Sequence, residues 1–284
     1  MGVDMHCHTT YSDGRAGPFD LARMAWASGL EGLAISDHDT VDHFAEAQEA
    51  CETFGMEWIP AVELSAESPP PVGVPGPPRS VHLLGYWIDE GDNPLTRELA
   101  RLRTARRDRA LAMIAKVNDQ GGTVDAEAML VGAGSASIGR PHVARAMVQA
   151  GIVGTIGQAF AEWLGEGCPA YVPKGALSPV QSVELIRSAG GAAVLAHPTW
   201  GGVDHHTLAA MCTAGLAGIE SPRESYEPDA ARTWHRVAAA RGLVVTRGSD
   251  FHGEAQSATM GTDCTHDLVV AELRSRAGGE LSQW

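Results

Sequence analysis

This sequence predicts an α/β framework, and three observations carry that reading. Short apolar runs alternate with helical ones through most of the 284 residues. Histidines and carboxylates recur, singly and in pairs, at or just after the runs that read as strands. A long helical block interrupts the alternation in the middle of the chain.

The first strand is Gly2–His6, leading into His6-Cys7-His8 and Asp13. Asp20–Ser28 has helical periodicity, with Leu21, Met24 and Ala25 on one face, and Gly29 ends it. Gly32–Ser36 is a second strand, followed by a helix near Val41–Phe54. Glu57–Ser65 and Ser80–Trp87 are the third and fourth strands. Pro69–Pro78 between them is too rich in proline for helix or central strand. It reads as an extended surface loop, a tolerated insertion in a hairpin rather than a lid.

From Asn93 to about Pro173 the pattern is mostly helical. Pro94–Asn118 places Leu95, Leu99, Leu102, Ile114 and Val117 at helical spacings, and Gly121-Gly122 stops it. Pro141–Gln149 opens on a proline. Thr155–Leu164 has Thr155 as its N-cap. The framework resumes with a helix at Ser178-Pro179 and strands Ala192–Ala196, Ala217–Glu220 and Leu243–Gly248, and a closing helix and tail follow. The expected organisation is a β/α framework formed by 1–92 and 174–284, with 93–173 as a small helical insertion.

Composition narrows the function. Hydrophobic residues at 44% and charged residues at 20% can build a core. A net charge of −14 excludes a general nucleic-acid binder, and no stable binding of duplex DNA is expected. Five cysteines without a CxxC pair read as reduced thiols. With no signal peptide and no apolar run of membrane length, a cytoplasmic protein away from membranes is expected.

In a strand, residues two apart point the same way, so His6 and His8 present two imidazoles to one side. Asp250 and His252 do the same if extended structure continues to His252. In a closed parallel barrel the first and last strands become neighbours, and the C-terminal rim collects reactive groups. His38, Glu63, His82 and His197 occupy similar positions on the intervening strands. Imidazole and carboxylate suit divalent first-row metals, and nine such donors are too many for one tetrahedral ion. His43, His205, His206, His235 and His266 are read as ordinary surface or hydrogen-bonded residues.

These residues bring a resemblance with them. His6-Cys7-His8 with Ser12-Asp13-Gly14, Ser36-Asp37-His38-Asp39, Glu63, Val81-His82, Ala196-His197-Pro198 and Gly248-Ser249-Asp250-Phe251-His252 resemble the polymerase and histidinol phosphatase (PHP) family. Gly139-Arg140-Pro141-His142 and Ala170-Tyr171-Val172-Pro173-Lys174 are similar to its small stand-alone phosphoesterases acting on nucleotides. The resemblance implies a distorted seven-stranded (β/α)7 barrel with a metal cluster at its rim. It implies that His6, His8, Glu63 and Asp250 hold one ion. Glu63 would bridge to a second ion on His82 and His197, and Asp13, His38 and His252 would hold a third. Ser221-Pro222-Arg223-Glu224 departs from the aromatic- or histidine-containing segment of relatives, which bears on substrate preference.

The expected activity is hydrolysis of a phosphate monoester of a nucleotide or similar small molecule by a hydroxide held at two or three divalent ions, manganese, zinc or iron. Asp13, His38, Glu63 and Arg140 are the expected catalytic residues. Arg140, just before a helix opened by Pro141, is the leading phosphate contact, with His142 and Lys174 beside it. Asp37 and Asp39 are candidates to orient imidazoles. Arg97, Arg101, Arg103, Arg106, Arg107 and Arg109 read mainly as a solvated helix face. The alternatives are a phosphodiesterase or 5′-to-3′ exonuclease on cyclic phosphates or short RNA, an amidohydrolase, and a metal-binding domain without turnover. Retention of every ligand speaks against the last.

Overall fold

The structure, a computed structural model, describes residues 2–70, 76, 78–175, 177–201, 203–223, 226–253 and 259–278. Most of the expected proline-rich loop, and Glu224, lie outside the described residues. In chain order the elements are β1 (Gly2–Cys7), α1 (Pro18–Ala27), β2 (Gly32–Ile35), α2 (Phe44–Thr53), β3 (Glu57–Trp58), β4 (Ala61–Ser68) and β5 (Arg79–Tyr86). The helical block holds α3 (Pro94–Asp119), α4 (Ala126–Ala133), α5 (Arg140–Gln149) and α6 (Ile156–Ala159), which widens into a π-helical turn at Phe160–Leu164. Then come α7 (Pro179–Ser188), β6 (Ala192–Leu195), α8 (Pro198–Gly201), α9 (His205–Ala214), β7 (Gly218–Glu220), α10 (Pro228–Arg241), β8 (Val244–Thr246), β9 (Thr265–His266) and α11 (Asp267–Arg274). None of these helices is long and apolar enough to cross a membrane.

The α/β reading holds, with one change of direction. The strands form two sheets, β3-β2-β1-β9 and β4-β5-β6-β7-β8. β1 to β3 pair in parallel, as do β6 to β8, but β5 is antiparallel to both β4 and β6. A parallel return needs a crossover of a dozen or more residues, usually a helix. Residues 69–78 between β4 and β5 are too few, so the chain turns straight back. The two sheets meet at two single parallel bridges, Cys7 to Phe251 and His38 to Glu63. The expected strand Glu57–Ser65 divides at Pro60, which has no N–H for a ladder. Its first part joins one sheet and its second part the other. Pro60 still accepts a hydrogen bond from Trp87 N at 2.8 Å.

Period-two alternation sorts the core. Leu64, Leu83 and Leu195 belong to an apolar cluster that includes Leu95 and Leu99 of α3 and Val183 and Ile186 of α7. Their strand neighbours Leu84, Tyr86 and Val194 belong to a second cluster with Val3, Met5 and Leu273. Each large apolar side chain fully buried this way contributes about 1.5–3 kcal/mol. The helical block carries its own cluster, including Ile114, Val117, Val143, Met147 and Leu164. α3 starts where expected because Asn93 and Thr96 form a reciprocal capping pair ahead of Pro94. α4, α9 and α10 were not legible as helices from periodicity. Their buried faces are Met129 alone, Leu208 with Met211, and Ala231 with Ala238, too few apolar side chains to show a stripe.

Gly248, just after β8, lets that segment approach β1 closely. A Cβ there would lie 2.4 Å from His6 Cβ and 2.6 Å from His6 N. The Gly248→Ala variant should therefore lose roughly 1–3 kcal/mol or more of stability through overpacking. A denaturant midpoint unchanged from wild type would show that the approach is not tight.

Candidate metal centre

Four backbone segments bring imidazoles to one buried carboxylate. β1 delivers His6 and His8 from the same side, as the strand period requires. The segment after β8 is sewn to β1 by Asp250 N donating to His6 O at 2.7 Å and His8 N donating to Phe251 O at 2.9 Å. That seam places Asp250 and His252 beside the two histidines. Glu63 lies near the start of β4, and His82 lies within the reversed β5. These two therefore reach the centre from strand interiors, not from C-terminal ends as expected.

Glu63 is fully buried and surrounded by five imidazoles. Its Oε1 lies 2.8 Å from His82 Nδ1 and 3.0 Å from His197 Nε2. Its Oε2 lies 2.8 Å from His38 Nδ1, 3.3 Å from His8 Nε2 and 3.5 Å from His6 Nε2. Asp250 Oδ1 is 3.4 Å from His6 Nε2 and 3.3 Å from His8 Nε2. Asp13 approaches His252 Nε2 at 3.2 Å and His38 Nε2 at 3.8 Å. All nine predicted donors are thus in one cluster.

The electrostatics are those of acids held ionised by imidazoles. Burial opposes the charge on Glu63, but His38, His82 and His6 outweigh it and hold the carboxyl well below its ordinary range. Asp13 is held down against its burial by His38 and His252, and Asp250 by His6 and His8. In return, burial at His6 is overcome by Glu220, Asp250 and Glu63, which raise it well above 6.5. Asp250 and Glu63 likewise overcome burial at His8 and raise it to about 10. His82 goes the other way, pushed down to about 3 by burial, with Lys174 adding to the shift against Glu63.

This donor set fits cations. His38 Nδ1 and Glu63 Oε2 are close, yet neither has a hydrogen-bond partner and both are buried. Two buried lone-pair bearers that face each other without a bond would normally be costly. A divalent ion lying between such groups removes the cost. Among the described residues, three groups have ligand atoms near enough to share an ion: His8, Asp13, His38 and His252; His6, His8 and Asp250; and His38, Glu63 and His82.

Sequence reasoning missed Glu220 and Asp4. Glu220 Oε1 accepts from His6 Nδ1 at 2.9 Å, and Oε2 accepts from His197 N at 2.7 Å. It therefore fixes the tautomer that leaves His6 Nε2 free to ligate. The available signal was its position, a carboxylate at the end of an apolar run. Asp4 Oδ1 accepts from His6 N at 3.2 Å and Ser249 N at 2.9 Å, tying the two ligand-bearing segments together. Burial raises its carboxyl to about 6. Asp39, His197 and Asp250 have positive φ, at 50°, 21° and 49°. Such backbone is costly for these residues and is held in place by surrounding bonds.

Asp37 and Asp39 serve the frame instead of the nine donors. Asp37 accepts from Thr9 N at 2.8 Å and Ser12 Oγ at 2.5 Å, and lies 3.3 Å from His43 Nδ1. Asp39 pairs with Arg106 Nε at 2.5 Å and accepts from Ser65 N at 2.8 Å. The arginine run divides accordingly. Arg97, Arg101 and Arg103 pair with Asp92, Glu98 and Asp42, as a solvated face would. Arg106 and Arg109 turn inward, and Arg109 Nη2 is buried without a hydrogen-bond partner.

Arg140 lines a cavity of about 610 Å³ together with Arg79, Ser80, His82 and His197. Its guanidinium lies over the Phe160 ring at 5.4 Å, and burial lowers its pKa. Lys174 is not an ordinary exposed lysine. Its Nζ donates to Ser80 Oγ at 2.6 Å and lies 3.1 Å from His82 Nε2. Burial, helped by Arg106, Arg109 and Arg140, brings it down to about 7. His142 is placed elsewhere. Its Nδ1 accepts from Gly139 N at 3.1 Å, and it lines a separate recess with Ser12 and Arg145.

Comparison with known proteins agrees with this geometry. A PHP domain model matches residues 4–115. A 5′-3′ exoribonuclease of Haemophilus influenzae is 34% identical over 253 residues, covering 88% of this chain and 89% of that protein. A 3′,5′-nucleoside bisphosphate phosphatase of Chromobacterium violaceum is 31% identical over 270 residues, covering 93% and 90%. Among solved structures, a Bifidobacterium adolescentis protein assigned as a metal-dependent phosphoesterase has a TM-score of 0.88 and 31% identity, covering 100% of this chain and 99% of that one.

The raised histidines set a pH dependence for the metal-free protein. Unfolded, His6 and His8 titrate near 6.5; folded, they titrate above it, His8 at about 10. Their stabilisation is complete below the unfolded value and is lost as pH rises through the folded one. Lys174, lowered from 10.5 to about 7, acts with the opposite sign, one group against two. The denaturation midpoint without metal should fall from about pH 6.5 to about pH 9. Saturating divalent metal should reverse the trend, because ligands must shed protons to bind it. A flat or rising midpoint without metal would contradict the charge assignment.

Proposed function

This chain belongs to the PHP family of phosphoesterases, and on that premise we propose that it hydrolyses a phosphate monoester of a nucleotide at a centre of two or three divalent ions. The observation that carries the reading is the buried Glu63 carboxylate among five imidazoles, with Asp13, Asp250 and His252 completing the cluster. The two sheets, joined at Cys7–Phe251 and His38–Glu63, we read as one distorted barrel of seven strands, made of β1, β2 and β4 to β8. Residues 93–173 we read as its cap.

In this reading His6, His8, Glu63 and Asp250 would hold one ion, Glu63 with His82 and His197 a second, and Asp13, His38 and His252 a third. His8 belongs both to the group with His6 and Asp250 and to the group with Asp13, His38 and His252, so it lies between neighbouring positions. Manganese, zinc and iron all suit these donors. When bound, divalent ions neutralise phosphoryl charge and acidify water. The chain supplies the positioning. Glu220 holds His6 and His197 in their ligating orientations. Arg140 grips phosphate oxygens with its planar fork, and Lys174 donates from the His82 side. His142 we assign to holding the Gly139 turn ahead of Arg140.

A second reading, a 5′-to-3′ exonuclease on short RNA, is favoured by the inward cations Arg106, Arg109, Arg140 and Lys174. Mutual repulsion contributes to lowering Arg109, after burial, to about 10. Cations gathered so closely would suit a substrate with more than one phosphate.

Metal analysis paired with a panel of nucleoside 5′-monophosphates, 3′,5′-bisphosphates, cyclic phosphates and short RNA tests both readings. Hydrolysis should stop on exhaustive chelation and return with manganese, zinc or iron; full activity in the metal-free protein would end the proposal. His38→Ala should cut kcat by roughly 100-fold or more with the circular dichroism spectrum unchanged. Arg140→Ala should lower kcat/KM by roughly 10- to 150-fold, the worth of a charged hydrogen bond at about 1.5–3 kcal/mol, with metal content intact. Unchanged kinetics on every substrate would remove Arg140 from the site.

A further inference from the structure

Two cavities meet at His197 and Trp200, and they differ in chemistry. One is the charged recess of Arg79, Arg140, Ser80 and His82. The other, about 710 Å³, is walled by Phe160, Trp200, Pro222, Arg223 and Tyr226, and its floor includes Asp250 and His252. Whatever fills the second cavity therefore sits against the same donors that would face a phosphate.

We infer that this second cavity seats a planar aromatic ring carried by the substrate, a nucleobase, and that Trp200 and Tyr226 determine the preference for it. The inference rests on the reading of the neighbouring cluster as a phosphoesterase centre. Six large hydrophobic side chains are exposed among the described residues, and two of them, Trp200 at 68% and Tyr226 at 77%, border this one cavity. Exposed aromatics gathered at a concavity mark a surface awaiting a partner.

Trp200 is held in orientation by stacking on His197, with ring centroids 5.2 Å apart and planes at 28°. Its remaining surface is still open. Arg223 adds a planar cation to the wall. Its guanidinium donates to Ser249 O and lies 4.0 Å from Asp263 Oδ2, so the wall is fastened to the segment that presents Asp250. Aromatic rings and a guanidinium around a cavity of nucleoside size favour a flat π-system over an aliphatic or sugar group. The Ser221–Arg223 stretch, which departs from the pattern of relatives, thereby becomes part of a selectivity wall.

The test uses the metal-loaded full chain and two esters, adenosine 3′,5′-bisphosphate and the corresponding ribose bisphosphate without a base. Wild type should favour the nucleoside by about tenfold or more in kcat/KM. Trp200→Ala and Tyr226→Ala should bring that ratio toward one, and Trp200→Phe should restore most of it. Because Trp200 touches His197, metal content is measured alongside; Tyr226→Ala carries the test if the tryptophan variant loses metal. Equal wild-type rates on the two esters, or an unchanged ratio in Tyr226→Ala, overturns the inference and leaves the phosphoesterase reading standing. Hydrolysis of neither ester sinks that reading instead. Adenosine alone, followed by tryptophan fluorescence, then reads the ring site independently. Saturable quenching that is lost in Trp200→Phe supports the inference, and its absence in wild type overturns it.

Discussion

A single carboxylate governs this molecule. Glu63 is fully buried, and an isolated ionised carboxylate in such a place would be prohibitively costly. Its surroundings remove the cost with five imidazoles drawn from β1, β5 and the segments after β2 and β6. Strand order follows from that requirement. Each strand must end, or in the case of β5 must cross, where its imidazole can reach the same two oxygens. Glu220, Asp4 and the positive-φ backbone at His197 and Asp250 are the local adjustments that bring the donors into register.

The electrostatic character of the interior explains an apparent conflict in the composition. A chain of net charge −14 would be expected to repel phosphate. The negative charge at the centre is offset by imidazoles and, in the proposed state, by cations. Around it, Arg106 and Arg109 of α3, Arg140 at the start of α5 and Lys174 in the loop after the helical block are drawn inward. The chain's inward cations are thus gathered beside the cluster while its net charge is negative.

Much of this was legible in the sequence. The nine donors were readable because strand periodicity and repeated placement after apolar runs are local signals, and the structure gathers them in one cluster. The direction of β5 was not readable, since pairing direction depends on the length of the 69–78 connection and on what the sheet needs, not on the strand's own residues. The division at Pro60 was available from the missing proline donor but was overridden by the apolar run around it. Glu220 and Asp4 escaped notice because a lone carboxylate near a strand carries no pattern; their roles exist only once β1, β7 and the segments after β6 and β8 come together. The surroundings of Lys174 were not readable for a related reason. Its partners Ser80 and His82 are far away in sequence and meet it only through the reversed strand.

The seam between β1 and the segment after β8 has a bearing on biogenesis. Residues near 6 and near 250 must meet before the centre exists, joined by Asp250 N to His6 O and His8 N to Phe251 O. A polypeptide emerging from the ribosome N-terminus first presents His6, His8, His38, Glu63 and His82 long before Asp250 and His252 leave the exit tunnel. During that interval the early histidines and Glu63 lack the partners that complete the cluster. The full donor set is therefore completed late, by the segment that brings Asp250 and His252 against β1.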